Sequence, residues 1–202
     1  RTFLRNEFEA NHFAGALLID KKTLHHIFSQ GNQNTLEDVC EKFGVEYETI
    51  VHRLCLLLTN KNLHFIKIDT SGKVIRRFSR ARSGIYWSSQ FAPCDRKSTL
   101  KLLRKVKNNP AEHLGLKITQ TSKVAKDDGT ASDYSYFCIS KVIIKHGNFF
   151  IITIGSTLAD AGIFAEYNTQ TENETELVSP YQCDVCRLNE NNICLNKPRT
   201  AM

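Results

Sequence analysis

The hydrophobic period of the chain changes once, near Asn60, and that change most limits what the chain can fold into. Before it, apolar residues recur at helical spacing. Phe8, Ala10, Phe13, Ala14, Leu17 and Leu18 share one broad face of a helix predicted over residues 6–19. The small residues Ala10, Ala14, Gly15 and Ala16 let another helix approach closely. Thr23–Phe28 reads as a short second helix, and residues 31–34 as a loop. In "TLEDVCEKFGVEYETIVHRLCLLL", Thr35 can cap a helix that turns Leu36, Val39, Cys40 and Phe43 inward. Gly44 breaks that helix, and Glu48–Leu58 forms the next, with Ile50, Val51, Leu54, Leu57 and Leu58 apolar.

Helix, glycine turn, helix is also the pattern of a helix-turn-helix. A helix that reads DNA displays Arg, Lys, Asn or Gln near its N-terminus. Here that position carries Glu46, Tyr47, Glu48 and Thr49, and acids repel phosphates. Packing is the expected role of this pair.

After Asn60 the pattern alternates. "HFIKIDTSGKVIRRFS" is a hairpin turning at Thr70-Ser71-Gly72. Residues 98–108 form an amphipathic helix with Leu100, Leu103 and Val106 inward and Lys101, Arg104, Lys105 and Lys107 outward, ended by Pro110. "LGLKITQTS", "YSYFCISKVIIK" and "NFFIITIGS" are three strands, with turns at Asp127-Asp128-Gly129 and His146-Gly147-Asn148. Residues 157–164 read as a last short helix, and the acidic stretch 170–178 as a loop. The order β-β-α-β-β-β-α implies an α+β fold, an antiparallel sheet with helices on one face. Three parts are expected: 1–60 helical, 61–178 α+β, and a Cys-rich tail at 179–202.

The net charge of +6 is unevenly spread. From Lys61 to Lys107 there are 13 Lys or Arg against Asp69 and Asp95, a local excess of +11, so the remainder carries −5. Much of that acid is Glu166, Glu172, Glu174, Glu176 and Asp184. A basic centre attracts an anionic partner, nucleic acid or a phosphate-bearing metabolite, although the same charges serve equally as a solvated surface. No apolar run approaches the roughly 20 residues of a membrane span, and no signal-peptide pattern is present. A cytoplasmic, membrane-free location is the expectation, and the start at Arg1 fits a fragment or a processed product.

In such a compartment the seven cysteines are thiols or metal ligands rather than disulfides. "CDVCRLNENNIC" places Cys183, Cys186 and Cys194 within twelve residues, and C-x-x-C lets two thiolates reach one tetrahedral ion. A structural zinc wants four ligands, and Cys94 or one of the seven histidines would supply the last. Reduced thiols without metal, or a Cys183–Cys186 redox pair, are the alternatives. Cys40, Cys55 and Cys138 fall on apolar faces and read as core residues.

"EFEANHFAGALLID" resembles the segment that follows the catalytic helix in ImmA/IrrE-type HExxH metallopeptidases, where E-x-E-A-N-x-F-A is followed by Leu-Leu and Met-Pro. Here Ile19-Asp20 stands at the Met-Pro position. "LEDVCEKFGVEYETIVHRLCLL" is similar to the helix pair that closes that domain. "FIKIDTSGKVIRRFS", the later "APC" and the terminal C-x-x-C-R are similar to a family of bacterial Xre-type transcription factors. Those regulators have an N-terminal helix-turn-helix, an ImmA/IrrE-like middle and a C-terminal domain linked to short-chain acyl-CoA sensing. Cys94 matches the Cys of their S-x-x-x-x-C-P-L-W motif; at their G-C-D-x-x-H-A motif this chain has Ser156 and Asp160 in place of Cys and His.

The resemblance implies that residues 1–60 are the helical end of an ImmA/IrrE-like domain and 61–178 a sensor-like domain, whose element order is that of PAS and GAF domains. It makes Glu7 the candidate third zinc ligand in a longer parent chain; in this one Glu7 can also serve as an acid at a helix start. No H-E-x-x-H occurs, and Glu112-His113 lacks the partners needed to hold zinc and activate water, so no peptidase activity is expected of this chain.

The leading expectation is therefore the effector-sensing and dimerising part of a transcriptional regulator, taking a short-chain acyl-CoA or related anionic metabolite. Such a ligand needs cations and an aromatic surface, and "RRFSRARSGIYW" offers Arg76, Arg77, Arg80 and Arg82 beside Tyr86 and Trp87. DNA would be reached through an N-terminal domain outside this chain, and a homodimer is implied. The alternatives are a nucleic-acid-binding module using residues 61–107 directly, a fragment of a zinc metallopeptidase, or an interaction domain stapled by its cysteine tail.

Overall fold

The structure, a computed structural model, describes residues 10, 13–29, 34–79, 97–106, 108–125, 131–168 and 175–178. Four helices come first: α1, described over residues 13–18, α2 (Lys21–Ser29), α3 (Leu36–Phe43) and α4 (Tyr47–Leu57). The ends of α3 follow from two residues. Thr35 and Asp38 form a reciprocal capping box, and Gly44 closes the helix in the left-handed region at φ 62°. Leu36 and Val39 of α3 and Ile50, Val51 and Leu54 of α4 are buried, so this pair packs as its apolar spacing requires.

The strands are β1 (Leu63–Asp69), β2 (Val74–Ser79), β3 (Lys117–Ala125), β4 (Ala131–Lys145), β5 (Asn148–Thr157) and β6 (Thr175–Val178). They form one sheet in the order β2-β1-β5-β4-β3-β6, antiparallel except for β6, which runs parallel to β3. The β1–β2 turn is held by Asp69, whose Oδ1 accepts from the Ser71 and Lys73 amides and the Ser71 hydroxyl. Helix α5 (Lys97–Val106) lies between β2 and β3 in the chain; α6 (Leu158–Ala161) and α7 (Ala165–Asn168) follow β5.

The expectation of helices on one face is corrected. Period-two alternation sends Leu63, Phe65, Phe137, Ile139, Ile152 and Ile154 to one side, where they share a core with α2, α3, α4 and the segment 161–164. Ile66, Ile68, Val142 and Ile151 point to the other side and are covered by Leu102, Leu103 and Val106 of α5. Both faces carry large apolar residues, so both need a layer. Core residues thus come from both sides of position 60.

Three further expectations change. The acidic stretch read as a loop contains β6. On α5 the buried residues are Leu102, Leu103 and Val106, with Arg104 and Lys105 outward; the side chain of Leu100 lies outside the described set. On α1 the named apolar face is open, with Phe13 66%, Leu17 72% and Leu18 57% exposed, and it is Gly15 and Ile19 that are buried. Gly15 stands where a Cβ would touch the Arg53 side chain of α4 at 3.9 Å, whereas Ala10, Ala14 and Ala16 are exposed, so of the four small residues only Gly15 serves the approach.

Candidate functional site

Two polar groupings occupy the two faces of the sheet. The first lies on the α5 face, where β1, β5, β4 and β3 run side by side. One rung across these strands reads His64, Gly155, Cys138 and Gln120; the next reads Ile66, Thr153, Ser140 and Ile118. His64, Cys138, Gln120, Ser140 and Thr153 are all buried, and Tyr136 beside them is 4% exposed. Ser140 and Thr153 hydroxyls are 2.7 Å apart. A polar stripe therefore crosses the middle of a buried sheet face and gives way to Ile68, Val142 and Ile151 beneath α5.

Gly155 builds the centre of this stripe. A Cβ on it would come within 2.3 Å of the His64 ring and 2.8 Å of Cys138 Sγ. The space left by the missing side chain lets His64 lean across β5 and bring Nε2 to 3.6 Å from Cys138 Sγ, although β1 and β4 are not neighbours. The Tyr136 ring meets the His64 ring edge-on, centroids 6.0 Å apart.

The second grouping ties the helical layer to the other face. Lys67 Nζ of β1 donates to Glu48 Oε2 of α4 at 2.8 Å, and it sits 4.1 Å from the Phe150 ring centroid. Arg76 and Lys145 approach the same carboxylate at 3.8 and 3.5 Å, and Lys145 also reaches Glu46 at 3.1 Å. Nearby, Glu37 of α3 receives Lys141 at 2.6 Å and Lys117 at 3.1 Å, while Lys117 also meets Glu166 of α7 at 3.1 Å. Burial pushes the Glu48 carboxyl up, but the Lys67 hydrogen bond and the charges of Lys67, Lys145 and Arg76 outweigh it and hold it below its ordinary value. Glu37 behaves alike: burial raises it, and Lys141 and Lys117 bring it below the ordinary range. Tyr47, beneath Lys141, is pushed well up by burial and by the Glu37 and Glu166 carboxylates.

This arrangement answers the helix-turn-helix question. Tyr47 and Glu48, at the start of α4, are buried against the sheet, so this turn does not face a DNA groove. Of the residues expected to bind an effector, Arg76 and Arg77 are adjacent on β2 and therefore point to opposite faces. Arg76 goes to Glu48, and Arg77 lies on the side of the polar stripe, paired in register with Ile66. Arg80, Arg82, Tyr86, Trp87, Cys94, Cys183, Cys186, Cys194 and Glu7 lie outside the described residues. Cys55 is in the helical core and Cys40 at its edge, with its thiol pushed up to about 11 by burial and by Glu37. Among the described residues, no three His, Cys, Asp or Glu side chains gather as a metal site, and no helix is long and apolar enough to cross a membrane.

At the position of the family's G-C-D-x-x-H-A motif, Asp160 has a structural job. Its Oδ2 accepts from the Asn62 amide, the Asn62 side chain and the Thr157 hydroxyl, and Lys61 lies 3.2 Å from Oδ1. The carboxylate thus joins the entry to β1 with the exit from β5. The sequence reading missed His64, Gln120 and the lysines of the second grouping. Two signals were available: a lysine at the inward parity of β1, and a glycine inside β5, where a strand has no use for one unless something approaches closely.

No curated protein matches the chain. Residues 4–55 match the IrrE N-terminal-like domain (Peptidase_M78), in agreement with the ImmA/IrrE resemblance of the helical segment. A solved structure of a Mycobacterium tuberculosis transcriptional regulator is similar at 22% identity and a TM-score of 0.61, over 85% of this chain and 51% of that one. This chain thus spans about half the length of that regulator and shares its fold over that half.

Proposed function

We propose that this chain is the effector-sensing and dimerising part of a transcriptional regulator, joined in the whole protein to a separate DNA-binding domain. The observation that carries the reading is the polar stripe His64–Gly155–Cys138–Gln120 inside an otherwise apolar sheet face. A core built only for stability has no need of five buried polar side chains there, whereas a ligand site combines an apolar wall with a few placed polar groups. The fold shared with a transcriptional regulator and the IrrE N-terminal-like match support it.

The sensor half is proposed to be PAS- or GAF-like and to take a short-chain acyl-CoA or a related anionic metabolite. Its acyl arm would lie at the stripe, and its phosphates would meet Arg77 and the basic segment that includes Arg80 and Arg82, with Tyr86 and Trp87 for the adenine. The cysteine tail, with Cys94, is proposed to hold a structural zinc, and the chain does no peptidase chemistry of its own because its sequence contains no H-E-x-x-H.

A thermal-shift screen against short-chain acyl-CoA thioesters, with free CoA and plain short acids as controls, tests the effector. A ligand at 100 times its Kd stabilises by about 2.7 kcal/mol, which for a chain of this size is roughly 5–10 °C. A shift specific to one thioester supports the sensor; equal shifts with every CoA reduce the site to a phosphate-binding face; no shift at all removes this ligand class. Zinc analysis of chelator-washed protein tests the tail, and a clean zero ends that part.

A second reading, direct nucleic-acid binding, is favoured by Arg104 and Lys105 standing outward on α5. It requires an affinity that falls steeply with salt. Absence of a duplex shift at low salt dismisses it.

A further inference from the structure

We infer that the open side of α1, with Arg53 in the seam beside it, docks an amphipathic helix that carries a carboxylate, supplied by the part of the whole protein outside this chain. The inference rests on that part of the proposed function which joins the chain to further protein, and it needs no effector. Arg53 of α4 is only 7% exposed, and its Nε is sealed from solvent. Among the described residues no carboxylate and no hydrogen-bond acceptor meets it. A guanidinium does not shed its proton, so the charge stays. Glu48, Lys67, Asp160 and Glu166 are buried as well, and each has an opposite charge within 3.2 Å. Asp20, at the end of α1, turns instead to Thr23 of α2. A buried charge without a counter-charge is strongly destabilising, so Arg53 calls for a carboxylate from outside the described residues.

The surface beside Arg53 sets the rest of the partner's chemistry. Five large apolar side chains are exposed among the described residues, and Phe13, Leu17 and Leu18 are three of them. With the exposed Ala10 and Ala14 they recur at spacings of three and four, the stripe against which a second helix packs. A Cβ on Gly15 would lie 3.9 Å from Arg53 Cδ, so the guanidinium stem runs along the flank of the helix that bears the stripe. One helix with an acid beside apolar residues satisfies both features. Its apolar residues cover the stripe, and its carboxylate accepts two parallel hydrogen bonds from the guanidinium. Lys21 and Lys22, exposed where α2 begins, favour a partner of the same sign. This chain matches only 51% of the regulator whose fold it shares, so a whole protein of that length has as much chain again from which to supply the helix.

The test places Leu17→Cys, a change at a position 72% exposed, in this chain and in the whole protein. Both are treated with iodoacetamide, and the tryptic peptide 6–21, which holds no native cysteine, reports the rate at position 17. The expected result is a rate about tenfold or more slower in the whole protein. Adding Arg53→Met there restores most of the rate, whereas Arg53→Lys, which keeps the charge, restores little. In this chain alone Arg53→Met leaves the melting temperature unchanged or raises it, because an uncompensated charge is lost. A fall of more than about 3 °C means that the charge is already compensated, and it overturns the inference. Equal alkylation rates in chain and whole protein overturn it too, as does full protection in a folded Arg53→Met whole protein. Protection already present in the isolated chain also overturns it, by assigning the face to that chain or, where protection grows with concentration, to a second copy. Where the whole protein does not fold with Arg53→Met, the two Leu17→Cys rates and the melting temperature of this chain decide.

Discussion

Lys67 Nζ lies 2.8 Å from Glu48 Oε2, with side chains only 8% and 9% exposed, so a strand lysine and a helix glutamate neutralise each other inside the fold. A buried pair gains little over an apolar pair of the same shape, but breaking it leaves one charge uncompensated. Lys67→Met or Glu48→Gln alone is expected to cost about 3–5 kcal/mol, and Lys67→Met with Glu48→Leu distinctly less than the sum. Urea melts of the three variants measure this. Single losses under about 1 kcal/mol would mean that the pair behaves as a screened surface contact.

The same carboxylates set an acid limit. Glu48 and Glu37 are held below their ordinary value of 4.5, and Asp160 below 3.8. For Asp160 burial acts upward, and the Asn62 hydrogen bonds with Lys61 and Thr157 outweigh it. Folded values below unfolded ones mean a contribution that is complete above the unfolded value and lost as pH falls through the folded one. The melting temperature is expected to hold down to about pH 5 and to drop below it, with a shallower drop in Glu37→Gln. A flat profile into strong acid would contradict the ion-pair geometry.

Gly155→Ala places a methyl 2.3 Å from the His64 ring and 2.8 Å from Cys138 Sγ. Overpacking of this kind costs about 1–3 kcal/mol, sometimes more. His64→Ala on the same background is expected to recover part of the loss, because the ring is what the methyl meets. A Gly155→Ala chain as stable as the original would show that the ring moves aside freely.

Thr35→Ala removes the capping oxygen from α3 and is expected to cost about 1 kcal/mol. Gly44→Ala meets nothing within 4 Å, so its penalty is the left-handed backbone alone, about 1–2 kcal/mol. Chemical denaturation of the two variants separates the contributions at the two ends of one helix.

These two helix ends were legible because their causes are local. Thr35 and Gly44 act within four residues of themselves, and the strands announce themselves by alternation. What stayed hidden depends on distant partners. Lys67 and His64 lie on opposite faces of β1, where a polar side chain ordinarily marks a wet face, yet every residue from Leu63 to Ile68 is buried. Lys67 is neutralised from 19 residues away by Glu48, and His64 is housed by the gap at Gly155, both beyond any local period. The period of α1 marked it as a helix without saying which side meets α4, and Gly15 and Ile19 decided that. β6 was missed because its Thr-Glu-Leu-Val lies in an acidic stretch that reads as a loop.

The pairing of β1 with β5, from Leu63 opposite Ser156 to Asp69 opposite Phe150, fixes the order of events as the chain is made. Leu63, Phe65 and the apolar sides of α2, α3 and α4 emerge early, but Ile152 and Ile154 that complete their core emerge last among the strands they pack with. During synthesis the segment from α2 to β1 must wait, with part of its apolar surface uncovered, for partners nearly a hundred residues downstream. Long-range closure of this kind is slow and exposed to aggregation. Nascent chains stalled before β5 should therefore be the ones that chaperones hold.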